Sequence, residues 1–117
     1  MATCTDVQAN LPLREATFFI MLSLAQEPKH GYAIMKEVQV LSEGRIVLST
    51  GTLYGAIKRL LDQSWIRRVN ESGATPSNRE RKEYALTDLG WRVLKAEVER
   101  LNSLVTVARL RAAREQT

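Results

Sequence analysis

The stretch Leu48-Ser49-Thr50-Gly51-Thr52-Leu53-Tyr54-Gly55-Ala56-Ile57-Lys58-Arg59-Leu60-Leu61 reads as a short helix with an apolar back and a small, hydroxylated, basic front. Leu53, Ile57, Leu60 and Leu61 recur at the spacing that lines one helical face. The opposite face carries Gly51, Gly55 and Lys58, with Thr52 and Arg59 on one flank and Tyr54 on the other. Glycine inside a helix costs about 1 kcal/mol against alanine. Close approach of another surface to the helix backbone compensates for that, and the floor of a DNA major groove is such a surface. Ser49 or Thr50 suits the N-cap, because a hydroxyl accepts an orphan backbone N–H.

Working outward, two apolar segments precede this helix and a strand pair follows it. A first helix is expected over 13–26; Phe18, Phe19, Met21 and Leu22 make it apolar nearly all round, so it is buried on several sides. Pro28 stops it, and Lys29-His30-Gly31 reads as a turn. A second helix is expected over 32–41, with Tyr32, Met35 and Val38 inward, and residues 45–48 as a short extended stretch. Residues 65–69 and 81–86 read as strands around a loop of turn-formers at 71–79, which makes a hairpin. Trp91, just beyond, reads as packed against the base of that hairpin in preference to the alternative of facing a cavity.

Thr87 then caps a long helix to about residue 114. Leu94, Val98, Leu101, Val105, Ala108 and Ala112 alternate in steps of four and three along it, a seam for another helix, and Leu104 and Leu110 widen it. The architecture is therefore mainly α with a small β-hairpin: a winged helix-turn-helix over 11–86, a disordered tail over 1–10, and a C-terminal dimerisation helix over 87–117. A second copy would cover the all-round apolar first helix.

Charge is concentrated where this architecture places a DNA-binding face. The formal net charge is +4. Within 45–82, Arg45, Lys58, Arg59, Arg67, Arg68, Arg79, Arg81 and Lys82 face only Asp62, Glu71 and Glu80, so this third holds more than the whole excess. Such a patch suits a polyanion. Lys58 is placed to reach a guanine edge and Arg59 a phosphate, against the alternative of a solvated face with Lys58 paired to Asp62. Tyr54 either faces DNA or serves the backbone with a half-buried hydroxyl. Arg79, Arg81 and Lys82 suit phosphate or minor-groove contact, while strand alternation sends Arg67 and Arg68 to opposite faces.

The residues that catalysis or metal binding would need are sparse. Cys4 and His30 are single, so neither a disulfide nor a zinc pattern is expected, and His30 beside Gly31 reads as a turn residue. No nucleophile–base constellation is legible, so no enzyme, cofactor or metal is expected. The start lacks a signal-peptide pattern, and the longest apolar run, over 18–25, is too short to span a bilayer. A cytoplasmic location is expected.

The segments His30-Gly31-Tyr32-Ala33-Ile34, Ser49-Thr50-Gly51-Thr52-Leu53-Tyr54 with Leu60, and Arg81-Lys82-Glu83-Tyr84-Ala85-Leu86-Thr87-Asp88-Leu89-Gly90 stand in an order seen elsewhere. On these, across about residues 11–95, the chain resembles the PadR-type transcriptional regulators, in their short subclass with a single C-terminal helix. The resemblance implies a homodimeric repressor on a palindromic operator, the last helix packed on the partner's first helix. It also implies release by a small aromatic or drug-like effector, as in many relatives. Ser64 departs from the glycine usual at the end of the third helix, and Leu101 stands where some drug-sensing relatives carry tryptophan.

The expected site residues are thus Ser49, Thr50, Gly51, Thr52, Tyr54, Lys58, Arg59, Arg79, Arg81 and Lys82 toward DNA. Phe18, Phe19, Leu22, Leu94, Val98, Leu101, Leu104, Val105 and Ala108 are expected at the dimer interface. The competing function is a winged-helix module that binds protein and not DNA. Steep salt dependence separates the two, because counterion release marks DNA binding.

Overall fold

The computed structural model describes residues 7, 9–69 and 82–115, with side chains described as far as residue 113. Val7 is buried in the core and Asn10 donates its backbone N–H to the Val7 carbonyl. Ordered chain therefore reaches into the segment expected as a tail; the rest of that expectation lies outside the described residues.

Helix α1 spans Glu15–Ser23, shorter than the expected 13–26. Its last turn tightens: Leu24 and Ala25 donate to the carbonyls of Met21 and Leu22, and Lys29 Nζ donates to the Ser23 carbonyl at 2.8 Å. A cation on the exposed carbonyl end of a helix is favourable, and it ends α1 before Gln26. The chain then enters β1, Lys29–His30, where a plain turn was expected. His30 goes on to cap helix α2, Gly31–Leu41, its Nδ1 accepting from the Ala33 N–H at 3.4 Å.

The inward face of α2 is Gly31, Ile34 and Val38. Tyr32, expected inward, is 60% exposed. Two residues are more than half a helical turn, so once Ile34 points to the core Tyr32 points away. Helix α3 spans Thr50–Asp62, capped by Ser49, whose Oγ accepts from the Thr52 N–H at 3.2 Å. It ends on Ser64, at φ 63°, with Ser64 and Trp65 donating to the carbonyls of Leu61 and Leu60. That pair of bonds is the helix stop usually served by glycine. The departure at Ser64 leaves the turn intact and places a side chain in the left-handed region.

Strands β2, Ile66–Val69, and β3, Glu83–Leu86, pair antiparallel, and β1 joins the far side of β3 with Lys29 opposite Tyr84. The expected hairpin is therefore part of a three-stranded sheet in the order β1-β3-β2. The reason is that Lys29 and His30 supply β3 with a second neighbour, which periodicity over so short a segment does not reveal. Helix α4 spans Asp88–Glu115.

One core unites these elements: Ile20 and Met21, Ile34 and Val38, Leu53, Ile57 and Leu60, Ile66, Tyr84 and Leu86, and Val93 and Leu94 of α4. Trp65 is buried among them, whereas Trp91 is 40% exposed, which corrects the core position expected for Trp91. Gly90, Val93, Leu94 and Glu97 are the buried stripe of α4, and Trp91 falls beside it. From Asn102 to Ala113 every side chain of α4 is exposed, so the helix projects from the domain.

Glu97 is the polar joint of this core, with its residue 2% exposed. Its Oε2 accepts from the Leu13 N–H at 3.0 Å, and Arg100 donates to both oxygens at 2.6 and 2.9 Å. The Arg100 hydrogen bonds hold the Glu97 carboxyl below the usual carboxylate range, against the opposing pull of burial. A depressed folded pKa contributes stability that is present above the unfolded value, about 4.3, and lost as pH falls through the folded one. Glu97→Gln is therefore expected to lower the unfolding free energy at neutral pH by about 1–3 kcal/mol. It also flattens the acid limb of stability measured by urea titration between about pH 5 and pH 2. Flattening is partial, because the Arg45 hydrogen bond likewise holds the Glu15 carboxyl low. An acid limb unchanged in the variant would rule out this account of Glu97.

Candidate nucleic-acid interface

The outer face of α3 is bare. Ser49, Thr50, Gly51, Thr52, Lys58 and Arg59 are exposed, and Tyr54 is 44% exposed. Among the described residues, a Cβ added at Gly51 would meet nothing within 4 Å, and one at Gly55 would meet only Arg59 Nη1, at 3.9 Å. Neither glycine is required by packing inside the protein, so their helix cost is not offset there. The local reason for the arrangement is the apolar back of α3: Leu53, Ala56, Ile57 and Leu60 are all buried, which turns the glycine side outward.

Tyr54 is partly exposed on α3, with its hydroxyl end tucked against the start of α2. Its hydroxyl end rests where a Cβ of residue 31 would sit, so Gly31 makes room for it at the start of α2. Nearby, Tyr84 is buried; burial pushes its phenol up, and the charge of Arg68 beside it pulls it back. Arg67 and Arg68 are both exposed along β2, the edge strand. Lys82 is exposed just ahead of β3; Arg79 and Arg81 lie outside the described residues.

The structure also shows a contact on α2 that sequence reasoning missed. Tyr32 and Lys36 share the exposed side of α2, with Lys36 Nζ 5.5 Å from the centre of the Tyr32 ring. The available signal was their four-residue spacing, which places a cation over the ring on one helix face.

The residues expected at the dimer interface divide. Phe18, Phe19 and Leu22 are half-buried, the two rings meeting edge to face at 5.7 Å. Leu94, at 3% exposure, belongs to the core of its own chain and is not on the surface of α4. Its step in the seam coincides with the buried stripe of the first turns, which a heptad pattern alone does not separate. Val98, Leu104, Val105 and Ala108 are exposed and Leu101 is half-buried, so an apolar strip runs unpartnered along the projecting helix. Among the described residues no helix is long and apolar enough to cross a membrane.

Comparison with known proteins places this geometry. A family model described as "Transcriptional regulator PadR-like family" matches residues 20–96. A 37.1 kDa protein in transposon TN4556 of Streptomyces fradiae is 33% identical over 105 residues, covering 79% of this chain and 30% of that protein. The chain thus spans less than a third of that curated relative. A PadR family transcription regulator from hypervirulent Clostridium difficile R20291 superposes with a TM-score of 0.68 at 26% identity, covering 83% of this chain and 97% of that one. Bacillus subtilis PadR, solved in complex with operator DNA, shares the fold with a TM-score of 0.62 at 24% identity, over 74% of this chain and 48% of that one.

Proposed function

Because the chain belongs to the PadR-like family of transcriptional regulators, we propose that it is a homodimeric, sequence-specific repressor that sets α3 into the major groove of a palindromic operator. The observation that carries this reading is the bare face of α3, where Gly51 and Gly55 have no packing partner inside the protein. Ser49, Thr50, Thr52, Tyr54 and Lys58 reach base edges from the start and middle of the helix. Arg59, Lys82, Arg79 and Arg81 meet phosphates, with Tyr32 and Lys36 on the neighbouring backbone. The Bacillus subtilis relative held on operator DNA supports a duplex as the partner.

In this reading residues 11–86 form the DNA-binding unit. The projecting part of 87–117 pairs with the partner's α1, so that two half-sites are read together. A small aromatic or drug-like effector relieves repression by changing the spacing of the two α3 helices. The chemistry is non-covalent and needs no cofactor, and the protein works in the cytoplasm.

Fluorescence anisotropy with a duplex selected from a random pool tests this. Affinity is expected to fall steeply between 50 and 200 mM salt, as counterion release requires. Gly55→Ala separates fold from function. It is expected to leave the melting temperature unchanged or raised, by up to about 1 kcal/mol of stability, and to weaken the selected duplex about tenfold. Equal affinity in this variant would take the α3 face out of the groove, and salt-independent binding would favour a protein partner.

A further inference from the structure

We propose that the cleft between the start of α1 and the C-terminal half of α3 seats a backbone phosphate of the bound duplex, with Arg14 as a DNA contact that the sequence motifs do not mark. The inference rests on the DNA-binding reading above and extends the contact surface beyond α3 and the wing.

The cleft has a volume of about 380 Å³ and brings Arg14 and Thr17 of one wall against Arg59 and Gln63 of the other, over Leu60 and Trp65. Among the described residues no carboxylate lines it. Neither guanidinium has an ion-pair or hydrogen-bond partner among the described residues. The acid nearest in sequence, Glu15, is held instead by Arg45 at 2.6 Å. Two arginines, a threonine and a glutamine around one cleft supply donors for an oxyanion such as phosphate, which the fork of a guanidinium matches.

The location decides whose phosphate it is. Arg59 Nη1 lies 3.9 Å from the Cβ position of Gly55, and Arg59 also lines the cleft, so this residue borders both the cleft and the bare face of α3. A duplex that receives that face brings a strand along its flank, where Arg14 waits on the opposite wall. The cleft is open to solvent along one side. Sites for free small molecules bury most of the ligand surface, whereas a phosphate tethered to a DNA strand needs only a notch.

The test compares the unaltered chain, Arg14→Ala and Arg14→Lys on the selected duplex and on random-sequence DNA across a salt series. In Arg14→Ala the slope of log affinity against log salt is expected to shrink by about 0.9, the value for one phosphate. The loss at low salt is expected to be about five- to tenfold and equal on both duplexes. Arg14→Lys is expected to restore the slope and only part of the affinity, since a point charge replaces the fork. An unchanged slope in Arg14→Ala, or a loss confined to the selected duplex, overturns the phosphate contact while leaving the DNA-binding reading in place. No DNA binding by the unaltered chain overturns both. Calorimetric titration of inorganic phosphate into the free protein supplies the last arm: Arg14-dependent micromolar binding would assign the cleft to a free phosphate compound and overturn the assignment to DNA.

Discussion

Gly90→Ala is expected to cost about 4 kcal/mol or more, a large share of the about 5–15 kcal/mol that holds a domain of this kind folded. A Cβ at residue 90 would collide with the backbone carbonyl oxygen of Trp65, and its third neighbour is the Leu86 side chain. The carbonyl cannot retreat. It accepts the Thr87 N–H at 3.0 Å, the preceding Ser64 carbonyl accepts the Thr87 hydroxyl at 2.6 Å, and the next residue, Ile66, is paired with Leu86 in the sheet. Thr87 Oγ1 in turn accepts the Gly90 N–H at 2.9 Å, so cap, strand and helix form one closed joint. Thermal melting by circular dichroism is the measurement, with a fall of about 10 °C or more expected. A Gly90→Ala protein melting within about 3 °C of the parent would falsify this joint as described. Gly55→Ala, expected to have the opposite sign, is the internal control for helix propensity.

The second large effect concerns assembly. Leu104→Glu combined with Val105→Glu is expected to convert a dimer into a monomer and to weaken operator binding by about a hundredfold or more, because half-sites read singly lose their linkage. Leu104 is 54% exposed and Val105 is also exposed, so the change leaves the core of each protomer untouched. Two like charges in an apolar seam are costly only when a second helix covers it. Sedimentation equilibrium gives the mass, and anisotropy gives the affinity. A variant that sediments as a dimer would remove this strip from the interface. Deleting residues 96–117 is a poorer test, because it also removes Glu97 and with it the bond to the Leu13 N–H.

Much of the candidate interface was legible because its signals are local. The cap at Ser49, the apolar back of α3 and the glycine face depend on spacing within one helix, and each follows from residue type. The charge excess of residues 45–82 is likewise a property of the chain alone. The cleft beside α3 was not legible: Arg14 and Arg59 are far apart in sequence, and only the tertiary fold brings them to the lining of one cleft.

Residue order by itself therefore determined the helices and the strand pair, the outward turn of the glycine side of α3 and the presence of an apolar strip on the last helix, since helical periodicity and capping act over a few residues. Tertiary structure alone decided which matching positions were used inside the chain. Leu94 went to the core and Trp91 to the surface, and Lys29 and His30 became a strand because β3 had a free edge. Packing chooses among surfaces of equal polarity by shape and by available hydrogen-bond partners, and neither is written in the period of a single segment.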